Sequence, residues 1–281
     1  MKLASFISPT GKPSYGQIND DTITDLCAAR PALPTLKDFL ASDEFTAGAW
    51  EATGPAYPLS AITHLPVIPN PGKIICVGLN YKDHIKETGR NDSAYPSLFL
   101  RTASSQIGHG AALIKPRVSD RFDYEGELAV IIGKPGRHIS AENALGHIAG
   151  YACYNDGSVR DWQRHTHQFT PGKNFDGTGS FGPWMVTPDE FGARASTWLI
   201  TRLNGEVVQK ASLDLMVFSI EEQIAYISTF TKLEVGDVIV TGTPGGVGDR
   251  RTPPLYMKAG DRVEVEITGV GILQNIVANE V

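Results

Sequence analysis

From residue 73 onward, short apolar runs alternate with turns rich in glycine, proline and asparagine, a pattern that predicts many strands. The runs at 73–78, 97–101, 126–132, 148–154, 184–187, 197–203, 207–209, 237–241 and 262–267 all read this way. Leu203-Asn204-Gly205-Glu206 is a hairpin signal, because Asn-Gly accepts the positive φ of a type I′ turn. One clear helix is predicted from Ile220 to about Phe230: Ser219 and Glu222 form its capping box, and Ile220, Ile224 and Ile227 its apolar stripe. The similar turns Leu233–Asp237 and Met257–Asp261 each lead into a strand and suggest a repeated hairpin element. Strands without regularly alternating helices predict an α+β roll or barrel rather than a doubly wound parallel sheet.

Residues 1–65 read as a small separate α+β unit, with short strands and a helix near 35–40. The proline-rich stretch 66–72 is a stiff connector, and 73–281 form the main domain.

Three acidic residues concentrate the candidate chemistry. Glu125 and Glu127 lie in the predicted strand 123–132, where a period of two puts them on one face. Asp156 ends the following apolar run and adds a third carboxylate if the two strands are neighbours. Such carboxylates repel unless something positive lies between them. An all-oxygen set suits a hard ion, Mg²⁺ first, then Mn²⁺ or Ca²⁺. Either piece alone is more simply read as a solvated strand face or an ordinary turn. The next residues strengthen the case: Ser158 and Asp161 have the spacing of a capping box, and Arg160 and Gln163 then share one helical face beyond Asp156. That junction suits an anion held beside a metal.

Composition narrows the partners. A net charge of −6 with scattered basic residues argues against a nucleic-acid surface, and the densest basic cluster, Arg250-Arg251, adjoins two prolines. An anionic substrate must therefore be met by local charge. Cys27, Cys76 and Cys153 form no Cys-x-x-Cys pair, and Cys76 and Cys153 lie in apolar runs, consistent with reduced thiols in a cytoplasmic protein. The first nine residues lack a signal-peptide core, and no run approaches transmembrane length, so no membrane association is expected.

Further residues offer acid–base and binding groups. Asn80 is a candidate N-cap for a helix on which His84 and Glu87 are i,i+3 neighbours; a carboxylate that orients a histidine makes a general base. The polar residues 87–96 have the character of a lid. Lys173, in a loop rich in turn formers, can meet a carboxylate or developing negative charge, although a solvated lysine is the plain alternative. His165 and His167 are weaker metal candidates, since their spacing suits a strand and the segment does not. The glycines around Thr243 resemble a nucleotide loop but lack its Gly-Lys-Ser/Thr ending and following helix; they suit close approach of backbone amides to a small ligand.

Taken together, four stretches resemble the fumarylacetoacetate hydrolase family, in its acylpyruvase and 2-hydroxyhepta-2,4-diene-1,7-dioate isomerase-like branch. They are residues 75–84, Asp123-Tyr124-Glu125-Gly126-Glu127-Leu128, residues 155–163, and residues 236–248 with Thr241-Gly242-Thr243-Pro244. The resemblance implies an α+β fold built on a β-roll, a homodimer, and a Mg²⁺ or Mn²⁺ site held by Glu125, Glu127 and Asp156. It places Tyr81, Arg160, Gln163 and Thr243 around the substrate with Lys173, and makes His84 and Glu87 a lid-borne pair that activates water. The implied activity is hydrolysis of a carbon–carbon bond in a 2,4-dioxo acid, such as an acylpyruvate or fumarylpyruvate, in aromatic-acid catabolism. Oxaloacetate decarboxylation and tautomerisation of a 2-hydroxy-dienoate use the same kind of site, and a non-catalytic small-acid binding protein is the reading from another class. Gly157 and Arg101 depart from the family pattern, which commonly has a branched apolar residue and a lysine there.

Overall fold

A computed structural model describes residues 1–48, 50–89, 93–192 and 196–281. Among them a twelve-stranded sheet forms the centre, with Gly179–Val186, Ile148–Asn155, Gly126–Ile132, Val238–Val240, Ile74–Gly78 and Ser97–Arg101 as successive neighbours. A five-stranded sheet packs against it, in the order Glu206–Ser212, Trp198–Leu203, Arg262–Ile267, Gly271–Asn279, Ala112–Lys115. This is the mixed α+β architecture expected from the pattern.

The strand Gly126–Ile132 explains why its sequence is an unbroken apolar run: both faces are covered. Leu128, Val130 and Ile132 point into a core shared with Leu199, Val265 and Ile267 of the second sheet. Ala129 and Ile131 point the other way, into a core containing Leu36, Phe39 and Leu40. Burying each such aliphatic side chain contributes roughly 1.5–3 kcal/mol, so the strand is fixed against slipping by contacts on two sides.

The first 65 residues take part in this arrangement. Lys2–Ile7 pairs antiparallel with Gly179–Val186, joining Lys2 to Val186 and Leu3 to Met185. Leu3, Tyr15 and Leu26 share a core with Ile74, Ala129 and Val238. The large sheet is therefore continuous across the proline-rich connector.

Local signals read from the sequence match the structure unevenly. Thr35 and Ser219 cap the helices Leu36–Leu40 and Ile220–Phe230, each with a complete capping box. Asn204 and Gly205 have φ of 54° and 87°, as the hairpin requires. Ser158 is no cap: Ser158–Val159 pairs with Phe122–Asp123, and the helix Arg160–Gln163 begins after Val159 without a side-chain cap. Nor does Asn80 cap: Tyr81 holds that position, while the Asn80 amide donates to the carbonyls of Phe218 (3.0 Å) and Thr241 (2.7 Å). Long-range demands claimed the Ser158 backbone and the Asn80 side chain. Among the described residues no helix is long and apolar enough to cross a membrane.

Candidate active site

Strand register assembles the acidic cluster. Gly126 pairs with Asn155, which places Glu125 and Asp156 side by side at the open end of two neighbouring strands. Two further bonds lock the junction: Asp156 N–H donates to the Glu125 carbonyl at 2.8 Å, and Glu125 N–H to Asn155 Oδ1 at 3.0 Å. Glu127 follows inside the strand. One carboxylate oxygen from each of Glu125, Glu127 and Asp156 lies within 4.8 Å of the others, and all three residues are buried.

Buried cations surround them. Lys173, 1% exposed, extends its ammonium between two carboxylates, 2.6 Å from Glu125 Oε2 and 2.5 Å from Asp156 Oδ2. It stands at the end of the short helix Thr170–Lys173, where a loop was expected. Arg160 Nη2 forms an ion pair with Glu125 Oε1 at 2.7 Å, without hydrogen-bond geometry, while its Nε donates to Asp123 Oδ2 at 2.8 Å and its Nη1 to Gln163 Oε1 at 3.0 Å. Arg101 donates to Asp156 Oδ1, to the Gly157 carbonyl (3.1 Å) and to Thr178 Oγ1 (2.9 Å).

The two glutamates respond in opposite directions. Burial would raise the Glu125 carboxyl, but Arg160, Lys173 and His84 outweigh it and hold the group below its ordinary range. Among the described residues no cation contacts Glu127 in this way. Burial, then the charges of Asp156 and Glu125, push its carboxyl well above the usual range, against the weaker pull of Lys173 and one bond from Gly242 N–H at 2.6 Å. A carboxylate so raised, beside two others offering oxygen atoms, is a place that fits a hard cation. Charge agrees. With its proton kept on Glu127, the cluster balances Asp123, Glu125 and Asp156 against Arg101, Arg160 and Lys173. A divalent ion that displaced that proton would leave the cluster with one positive charge, ready for an anionic ligand.

A cavity of about 480 Å³ opens above the cluster, with Val77, Phe99 and Phe169 as an apolar wall and His84, Glu125, Glu127, Arg160, Gln163, Lys173 and Thr243 as polar lining. His84 Nδ1 lies 2.7 Å from Glu87 Oε1, and Glu87 Oε2 accepts from Gly246 N–H at 2.9 Å. Since Glu87 is an acceptor, Nδ1 carries the hydrogen, so in the neutral imidazole Nε2 is the nitrogen without one. Both are on the helix Lys82–Thr88; of the expected lid, residues 90–92 lie outside the described residues.

The glycines around Thr243 serve the protein rather than a ligand. Gly242 and Gly246 have φ of 107° and 103°, which turn their amides onto the carboxylates of Glu127 and Glu87. Thr243 reaches the cavity, but its hydroxyl already donates to the Gly126 carbonyl (2.9 Å) and accepts from Gln209 (2.8 Å). Tyr81 is buried under the site and is not part of the cavity lining. His167 lines the cavity and His165 instead packs against Trp162; among the described residues only Glu125, Glu127 and Asp156 group as possible metal ligands.

Sequence reasoning assigned no role to Asp123, Arg101, Arg164, Asp249 or Arg250. Asp123 had a detectable signal, standing two residues before Glu125 in the same motif. Arg101 and Arg164 meet carboxylates 55 and 85 residues away, which no local pattern shows.

The profile described as fumarylacetoacetate (FAA) hydrolase C-terminal matches residues 73–278. The chain belongs to this family. It is 41% identical over 264 residues to human oxaloacetate tautomerase FAHD2A, mitochondrial, covering 92% of this chain and 84% of that one. Among solved structures, the fumarylacetoacetate hydrolase of Exiguobacterium antarcticum superposes with a TM-score of 0.86 at 36% identity, over the whole of both chains. The maleylpyruvate hydrolase of Sphingobium sp. SYK-6, in complex with manganese (II) ion and pyruvate, gives 0.83 at 29% identity, again over the whole of both. The family is one of enzymes, and that neighbour carries a divalent metal.

Proposed function

We propose that this protein transfers protons on an enolisable 2-oxo acid, with keto–enol tautomerisation of oxaloacetate or a similar acid as its leading reaction. The observation that carries the reading is the His84–Glu87 pair, which presents a free imidazole nitrogen to a cavity floored by the acidic cluster. The name of the human relative supports it, and moves tautomerisation ahead of the hydrolysis that the sequence alone favoured.

Glu125, Glu127 and Asp156 would hold the divalent ion, Mg²⁺ or Mn²⁺ by ligand type, which supplies Lewis acidity to a 2-oxo group next to it. His84 Nε2 takes a proton from the carbon adjoining the 2-oxo group, while Glu87 keeps Nδ1–H in place and stabilises the imidazolium. The same nitrogen then returns the proton to the other tautomer's acceptor atom. Lys173 and Arg160 place positive charge where negative charge grows, and Gln163 orients the acid. Val77, Phe99 and Phe169 keep water from that side.

A second reading is hydrolysis of a carbon–carbon bond in a 2,4-dioxo acid, with His84 activating water. The cavity favours it in one respect: about 480 Å³ is more room than a four-carbon acid needs. One assay separates the readings. Purified protein with Mg²⁺ or Mn²⁺ should accelerate the decay of enol oxaloacetate absorbance, and His84→Ala should abolish the acceleration. Pyruvate plus a carboxylic acid released from an acylpyruvate would put hydrolysis first; carbon dioxide from oxaloacetate would make the enzyme a decarboxylase. No turnover of any of these acids with either metal would defeat the proposal. Sedimentation of the same sample tests the homodimer that the family resemblance implies.

A further inference from the structure

Of the buried cations around the acidic floor, Arg160 and Lys173 line the cavity and Arg101 does not. The side chains of Arg101 and Asp156, which it contacts, have no exposure at all. All three guanidinium nitrogens are engaged. Nη1 donates to Asp156 Oδ1 and to the Gly157 carbonyl at 3.1 Å, Nη2 to Thr178 Oγ1 at 2.9 Å, and Nε to Ser105 Oγ at 3.2 Å. Both hydroxyls are anchored on backbone in turn: Thr178 donates to the Phe175 carbonyl at 2.7 Å, and Ser105 to the Thr102 carbonyl at 2.8 Å. Gly179 closes the remaining space, since a Cβ there would lie 2.8 Å from Arg101 Cζ and Nη2.

Arg101 and Gly157, the two positions that depart from the family pattern, thus meet each other. A Cβ on Gly157 would lie 2.0 Å from the Thr178 carbonyl oxygen, so a branched residue has no room there. Charge balance alone does not require this construction. Lys173 already meets Asp156 Oδ2 at 2.5 Å, and an ammonium at Oδ1 would add the same charge as a guanidinium. The fork adds direction: its rigid, anchored plane pins Oδ1, whereas an ammonium is a point charge on a flexible stem. With Lys173 on the other oxygen the carboxylate is held against rotation, and each oxygen keeps a second lone pair for an ion.

We infer that Arg101 is a positioning residue for the metal, fixing the Asp156 carboxylate in an orientation that favours Mg²⁺ relative to Ca²⁺. This rests on the reading that Glu125, Glu127 and Asp156 hold the ion. Mg²⁺ demands near-ideal octahedral geometry, while Ca²⁺ accepts a flexible set of oxygen ligands. A loosened Asp156 therefore penalises Mg²⁺ more than Ca²⁺. A change in local charge, or a loss of folded protein, would shift both ions alike.

Calorimetry of the metal-free protein with MgCl₂ and with CaCl₂ separates these cases. Arg101→Lys keeps the charge and removes the fork; Mg²⁺ affinity should fall about 10–100-fold, and Ca²⁺ affinity by a smaller factor. Thr178→Val removes one anchor of the guanidinium without altering any charge, and should change the ratio of the two affinities in the same direction by less. It decides the matter alone if Arg101→Lys does not fold. A ratio that stays at the wild-type value would overturn the inference and leave the metal site standing. A wild-type protein that binds neither ion also overturns it, and titration with MnCl₂ then decides whether the metal site itself stands.

Discussion

The floor and the mouth of this cavity are built from the same residue types under opposite conditions. At the floor, Glu125, Asp156, Lys173, Arg160 and Arg101 are buried and each contacts an opposite charge. At the mouth, Arg164 and Arg250 meet Asp249 with side chains 44% and 37% exposed. Water and salt screen the second group and hardly reach the first. Floor charges therefore weigh heavily in folding, and mouth charges weigh little.

Removing a floor cation should give the largest effect. Lys173→Met leaves Glu125 and Asp156 facing each other without their shared ammonium, and urea unfolding of the metal-free protein should show a loss of about 3–5 kcal/mol. Added Mg²⁺ should recover part of it; an unchanged midpoint would mean that the floor is no more demanding than the mouth. His84→Gln tests chemistry at the same depth: kcat should fall about 10²–10⁴-fold, with stability held within about 1 kcal/mol.

Next in size is a pH effect at Glu127. The folded protein keeps a proton that the unfolded chain releases above the ordinary value of 4.5, so this group lowers stability as pH rises from 4.5 through its raised folded value. Glu125 acts on the other side: its depressed carboxyl adds stability that is present above 4.5 and lost as pH falls below it. Thermal unfolding of metal-free Glu127→Gln should lose the decline above 4.5 and keep the acid-side loss. Metal affinity, measured by competition with a chelator, should rise with pH in the wild type, because binding expels the Glu127 proton. The smallest effect belongs to a half-buried pair outside the cavity lining. Arg202→Ala, which breaks a 2.6 Å contact to Glu266, should cost about 0.2–1 kcal/mol, and less at high salt.

How much could be read beforehand depended on distance along the chain. The helix Ile220–Phe230, its Ser219 cap and the Asn204-Gly205 turn were legible, because each depends on neighbours within four residues. The acidic cluster was legible in part: the motif showed the carboxylates, and strand pairing was a plausible guess for Asp156. The failures at Ser158 and Asn80 share a cause. Both are good cap residues, but Ser158 is drawn into a ladder with Asp123, and Asn80 ties together Phe218 and Thr241. Lys173 and Arg101 could not have been placed between or beside the carboxylates, since 48 residues separate Lys173 from Glu125 and 55 separate Arg101 from Asp156.

The sequence by itself determined many of the strands, the Ser219 cap, the Asn204-Gly205 turn, the family, and the identity of the three acids, all of which follow from backbone preference, side-chain period and a motif of adjacent residues. Only the tertiary structure decided which cations neutralise those acids, that Glu127 is left without one in contact, that the loop glycines aim their amides at Glu87 and Glu127, and that Arg250 faces the cavity while Arg251 does not. These are outcomes of burial and of Coulomb interaction, which depend on separation in space and on exclusion of water. Neither quantity is written in the order of the residues.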